Sequence, residues 1–176
     1  MNRNDALSLL ARFKSTQLTD SVFDSYLLDY WCIDEEDDEF HALPKEVQKD
    51  LTSLEEPDLT RREKYLPLIE LALLHEFKGI KNSYIESLIL KNLKKNIEIS
   101  GDVEKLYSCP CCEYLTLYDL ADYDICRLCK WEDDGIRDLA QHSACNHTSL
   151  REARAIFKNK LIKNPDLSEI YMSEKP

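Results

Sequence analysis

Apolar residues recur at helical spacing through the first hundred positions, and that spacing predicts a series of short helices. Ala6, Leu7, Leu9, Leu10 and Phe13 fall on one side of the first. A second carries Val22, Phe23, Tyr26, Leu27, Tyr30 and Trp31, with Thr19 or Asp20 suited to cap it. The run from Asp34 to Glu39 interrupts the pattern, because adjacent carboxylates repel and leave nothing to bury. Pro44 suits the first turn of a third helix bearing Leu43, Val47 and Leu51. Asp58 or Thr60 can start a fourth, which Pro67 either kinks or restarts. Leu68, Ile69, Leu71, Ala72, Leu73, Leu74 and Phe77 are apolar on nearly every side, the mark of a central helix, and Gly79 fits its stop. Asn82 can cap the next, with Tyr84, Ile85, Leu88, Ile89 and Leu93 inward.

Around Ser100-Gly101 the texture changes. Val103–Tyr107, Tyr114–Leu117 and Tyr123–Ile125 read as short strands. Ser149-Leu150-Arg151-Glu152 has the form of a capping box and opens a last helix with Leu150, Ala153, Ile156, Phe157 and Leu161 on one stripe. The polar tail after Lys163 is expected to fray. The fold class is therefore α+β and mostly helical. An acidic helical bundle over residues 1–100 precedes a small β module with a C-terminal helix over 101–176.

Charge narrows the partners. The net charge is −11, and residues 1–60 alone hold 15 acidic and 5 basic side chains. Such a chain repels phosphate backbones at long range, so nucleic acid is a poor partner and a basic protein a good one. Only three glycines occur in 176 residues, too few for a Gly-rich phosphate loop. The 43% hydrophobic share is enough for a core. No apolar run approaches the length of a membrane span and no basic-then-apolar leader opens the chain, so a soluble, cytoplasmic protein without membrane contact is expected.

Six of the seven cysteines lie between positions 109 and 145. Cys109 with Cys112, and Cys126 with Cys129, form two CxxC pairs separated by 13 residues. Two residues between cysteines let a tight turn aim both sulfurs at one point, and two such knuckles close on one tetrahedral Zn²⁺. Four thiolates leave no open position, so one structural zinc ion is predicted rather than a catalytic one. Cys111 reads as a small core or surface thiol, or as a ligand exchanging with Cys112. Cys145 with His147 reads as structural, and Cys32 as a buried apolar thiol. Trp131 is expected to cover the knuckles, with Glu132 or Asp133 bonding turn amides or an arginine such as Arg151 or Arg154.

These residues also resemble a known family, the cysteine-rich CPCC proteins of bacteria. The resemblance runs through Tyr107-Ser108-Cys109-Pro110-Cys111-Cys112, Tyr114-Leu115-Thr116-Leu117, Tyr123-Asp124-Ile125-Cys126 and Cys129. It continues through Trp131-Glu132-Asp133-Asp134-Gly135 and Asn146-His147 to Ser149-Leu150 and Glu152-Ala153-Arg154. It covers about residues 106–158 and implies a zinc-ribbon-like module. Similar proteins are often encoded beside toxin systems, which implies an immunity role. Glu113 stands where the family commonly has glycine, Arg127 and Cys145 where it commonly has proline.

The function expected is that of an intracellular immunity or interaction protein, not an enzyme, which binds and neutralises a basic, nuclease-type bacterial toxin. Its candidate contacts are Asp34, Glu35, Glu36, Asp37, Asp38, Glu39, Glu55, Glu56 and Asp58. The alternative is a zinc-ribbon nucleic-acid or transcription accessory protein using Lys91, Lys94, Lys95, Arg151, Arg154, Lys158, Lys160 and Lys163. An enzyme would need Cys111 or Cys145 as nucleophile with His142 or His147 as base.

Overall fold

The computed structural model describes residues 1–173. The fold is α+β and mostly helical, and it divides into two compact units, 1–77 and 78–176. The change of texture at Ser100-Gly101 therefore lies inside the second unit, not at its edge.

In the first unit, α1 (Arg3–Ser15) and α2 (Asp20–Asp29) both pack on α5 (Leu66–Phe77). Leu68, Ile69, Ala72 and Leu73 of α5 meet Ala6, Leu7 and Leu10 of α1 and Leu27 of α2 in the core. Burying each large side chain contributes about 1.5–3 kcal/mol, which is why the helix that is apolar all round becomes the centre. Val22, expected on the inner face of α2, is exposed instead. Pro67 sits in the first turn of α5, where its missing N–H costs nothing, and a 3-10 helix (Leu59–Tyr65) precedes it. Between α2 and this 3-10 helix lie α3 (Asp38–Ala42) and α4 (Lys45–Ser53). The acidic run thus ends by starting a helix, where Asp38 and Glu39 suit the positive end of the dipole. Lys64 and the Tyr65 hydroxyl both bond Asp50, holding the 3-10 helix to α4.

The second unit opens with α6 (Asn82–Leu93). Asn82 does not cap it: Lys81 takes that position, and the Asn82 amide donates to the Gly101 carbonyl at 2.8 Å. Two short hairpins follow, β1 (Tyr107–Ser108) with β2 (Leu115–Leu117) and β3 (His142–Ser143) with β4 (Thr148–Ser149). Residues 103–106, expected in a strand, form no ladder, and Ile125 makes one isolated bridge, to Glu132. Helix α7 (Leu150–Lys163) begins with the capping box foreseen, Ser149 and Glu152 bonding each other's backbone N–H. Ile156, placed on its inner stripe by spacing, is 66% exposed.

The tail does not fray through residue 173. A 3-10 helix (Pro165–Glu169) leads to Tyr171, which is buried and bridges Ile80. Lys81 N–H donates to the Ile170 carbonyl and Leu115 N–H to that of Met172, both at 2.9 Å. The tail thus runs beside Ile80 and the start of β2, joined to them by isolated bridges.

Gly79 has φ +78, and a Cβ built there would stand 2.4 Å from Leu106 Cδ1. Gly79→Ala is expected to destabilise the protein by about 1–2 kcal/mol, from the left-handed backbone that an L side chain disfavours. Urea denaturation reads it as a lowered midpoint at unchanged slope.

Candidate metal centre

Each CxxC segment folds as the same turn. Cys109 N–H donates to the Tyr114 carbonyl at 2.9 Å, and Glu113 N–H donates back to Cys109 at 2.9 Å. The second segment repeats this at 2.8 Å: Cys126 to Trp131, Lys130 to Cys126. Both turns close through a left-handed residue, Glu113 with φ 66 and Lys130 with φ 67. Glu113 thus adopts a conformation that glycine would take without strain.

The two turns bring Cys109, Cys112, Cys126 and Cys129 together, with all four Sγ atoms within 4.8 Å of one another. Cys109 and Cys129 are 3.6 Å apart, as are Cys112 and Cys126. Four thiolates about 2.3 Å from one tetrahedral ion would stand about 3.8 Å apart, so the cluster fits a metal and leaves no position for water. Three of the sulfurs are buried and Cys129 is half-buried. Four thiols this close cannot all ionise alone. Cys112 is pushed up because Cys109, Cys126 and Cys129 crowd it, with burial adding to the effect. Cys126 is pushed down because Cys109, Cys112 and Cys129 donate to its sulfur. The buried Thr116 hydroxyl lies 3.0 Å from that same sulfur. A divalent cation removes the conflict by favouring every thiolate at once. Cys111 is buried beside Cys129 but stays outside the four.

Helix α7 clamps both turns. Arg154 Nε and Nη2 donate to the Pro110 carbonyl at 3.0 and 2.7 Å, and its Nη1 meets Glu113 at 3.3 Å. Lys160 Nζ donates to the Leu128 carbonyl at 3.2 Å. The alternative of a nucleic-acid face counts both cations among its basic residues. Their acceptors are main-chain oxygens, which no side-chain pattern announces.

Two of the carboxylates after Trp131, Asp133 and Asp134, accept hydrogen bonds from neighbouring groups. Asp133 is fully buried and takes both prongs of Arg137, at 2.5 and 2.8 Å, rather than Arg151 or Arg154. It also accepts the Ala121 N–H at 2.9 Å. Asp134 accepts the Ser143 hydroxyl at 2.7 Å, and Cys145 lies 3.5 Å from the same oxygen. The Asn146 amide accepts from Glu132 N–H and donates to Glu132 C=O, both at 2.8 Å, as a strand partner would. Cys145 faces Ser143 and Asp134, while His147 is exposed with φ 52. Cys32, expected to be buried, is exposed. Trp131 is 2% exposed, yet its buried Nε1–H meets no acceptor among the described residues.

Of the candidate partner contacts, Asp34–Asp38, Glu55, Glu56 and Asp58 are exposed. Asp34 and Asp37 hold their own turn: Asp34 Oδ1 accepts from Glu36 N–H and Asp37 Oδ2 from Asp34 N–H. Trp31 Nε1 donates to the Leu54 carbonyl, which sets the chain before Asp34 beside the chain before Glu55. Glu39 is half-buried against His75 Nε2 at 3.2 Å. Among the described residues no helix is long and apolar enough to cross a membrane.

Residues 107–163, about a third of the chain, match the family described as Cysteine-rich CPCC. No curated protein and no solved structure matches.

Proposed function

We propose that this chain is an interaction protein which binds and neutralises a basic, nuclease-type toxin, and that its four-cysteine centre holds one structural zinc ion. Cys109, Cys112, Cys126 and Cys129 would hold the ion, which supplies a cross-link between the two turns and no activated water. Four thiolates about Zn²⁺ leave a charge of −2, which Arg154 and Lys160, bonded to the turn carbonyls, suit.

One observation carries the binding role: the uneven charge. Residues 1–77 hold 18 acidic and 8 basic side chains, a balance of −10 out of the chain's −11. Exposed carboxylates gathered on one unit raise the association rate of a basic partner and compete with its nucleic acid. The use of Arg154 and Lys160 as clamps draws two cations away from the nucleic-acid reading.

The test is affinity capture from the source cell, with mass spectrometry of what is retained. A basic toxin domain, eluted by salt, is the expected catch; retention of no basic protein overturns the proposal. A variant carrying E35Q, E36Q, E55Q and E56Q spares the turn-forming aspartates. It is expected to slow association with that domain about tenfold at low salt and to flatten the salt dependence. Stopped-flow mixing at two ionic strengths measures both.

A further inference from the structure

Between α7 and the second turn lies a pocket of about 190 Å³, and two sulfurs line it. One is Cys129 of the four-sulfur cluster; the other is Cys111, which stands outside the four. We propose that Cys129 is a site of reversible oxidation by hydroperoxides, and that Cys111 is its resolving thiol, joining it in a disulfide as the ion is given up. The inference rests on the metal reading above and is independent of the toxin-binding one.

Access singles out Cys129. Cys109, Cys112 and Cys126 are buried, and none of them lines the pocket. Cys129 is half-buried and does. The pocket reaches the surface, since the exposed Lys130, Ile156 and Lys160 also line it. A hydroperoxide is little larger than water, which needs only about 15 Å³ of such space. Oxidation of cysteine follows thiolate character and exposure. Coordination gives the first to all four ligands, and the second is greatest at Cys129.

Cys111 supplies the partner. It is 5% exposed, and its side chain interacts with that of Cys129. The Cys109 sulfur lies 3.6 Å from that of Cys129, but it is itself a ligand and is engaged by the ion. Cys111 keeps its thiol while the four are held. It also belongs to the first turn, and Cys129 to the second. A bond between them ties the same two turns that the ion ties, so the unit stays assembled for reloading.

The chemistry balances. The Cys129 thiolate attacks one peroxide oxygen, the O–O bond breaks, hydroxide leaves and a sulfenic acid forms. The Cys111 sulfur then attacks the sulfenic sulfur. An S–S bond forms, the S–O bond breaks, and the Cys111 proton departs with the hydroxyl as water. The two sulfurs lose two electrons and the peroxide gains them. Cys129 then offers no thiolate, and three ligands remain.

The test treats the full, metal-loaded chain with hydrogen peroxide. A coloured chelator counts released zinc, and mass spectrometry maps disulfides after the free thiols are alkylated. Expected are loss of the ion, a Cys111–Cys129 disulfide, and reloading once a dithiol reductant and zinc are supplied. Cys111→Ala keeps all four ligands and is expected to accumulate a sulfenic acid at Cys129, trapped by dimedone at least about fivefold more than in wild type. The wild-type map decides the matter even if that variant folds poorly. A chain that takes up no ion fails the metal reading before peroxide is added, and this proposal with it. A loaded chain whose main disulfide joins other sulfurs, such as Cys109 with Cys129, overturns this proposal alone. So does one that keeps Cys111 and Cys129 reduced while Cys32 or Cys145 oxidises.

Discussion

Stripping the metal from the full chain is expected to unfold residues 78–176 and to leave the helices of residues 1–77 in place. A structural zinc site supplies on the order of 10 kcal/mol, against about 5–15 kcal/mol for the stability of a whole domain. The second unit buries Ile85, Ile89, Leu117, Leu150 and Phe157, but its backbone pairing is slight. Its ladders are two or three residues long, and both knuckle turns rest on left-handed residues that resist their own conformation. The first unit has its own apolar centre around α5 and no part in the cluster. Hydrogen exchange distinguishes the two. After chelation the Cys126 and Lys130 amides should lose protection, while those of α5 keep theirs. Serine at any one of Cys109, Cys112, Cys126 or Cys129 should reproduce the effect and reduce bound metal below one ion per chain. Serine at Cys32 or Cys145 should leave metal content at one.

The second large effect is expected from Asp133→Asn, at about 1–3 kcal/mol. Asp133 is buried and the Arg137 side chain is 47% exposed, so water can take over part of the guanidinium while the donors around the buried carboxylate lose an acceptor. Those donors are the Arg137 fork, bound at 2.5 and 2.8 Å, and the N–H groups of Ala121 and Gly135. Burial alone would push the Asp133 carboxyl up, but these donors outweigh it and hold it below the ordinary carboxylate range. Its contribution to stability is therefore complete above about pH 4, the value in an unfolded chain, and is lost as the pH falls towards the lowered folded value. Urea midpoints of wild type and Asp133→Asn should differ by a constant amount above about pH 5 and converge in acid. A gap that widens in acid would contradict the assignment.

The cysteine cluster was legible in the sequence because its signal is local. Two residues between cysteines fix a turn whatever surrounds it, and four sulfurs in two turns need one meeting point. The helices of the first unit were legible for a related reason, since a period of 3.6 records which face is buried. What stayed hidden depends on partners remote in the chain. Nothing near Tyr171 announces Ile80, and a polar tail looks frayed until its carbonyls meet Lys81 and Leu115. Arg154 and Lys160 look like a basic face until Pro110 and Leu128 supply acceptors. Asn82 has the right side chain for a cap, but Gly101 offered it a different bond. Ile156 obeys the helical stripe in register and departs from it in exposure, because the neighbouring surface is a hollow.

The bridge from Ile80 to Tyr171 bears on the order in which the protein can be made. Everything the first unit needs has left the ribosome's catalytic centre by residue 77, so it can fold while synthesis continues. The second unit cannot close until position 171 has been translated, about forty residues after its last clustered sulfur at Cys129. Throughout that interval the nascent thiols stand without their finishing segment. Early capture of an ion by the four sulfurs would then protect them against oxidation during biosynthesis as well as stabilise the unit afterwards.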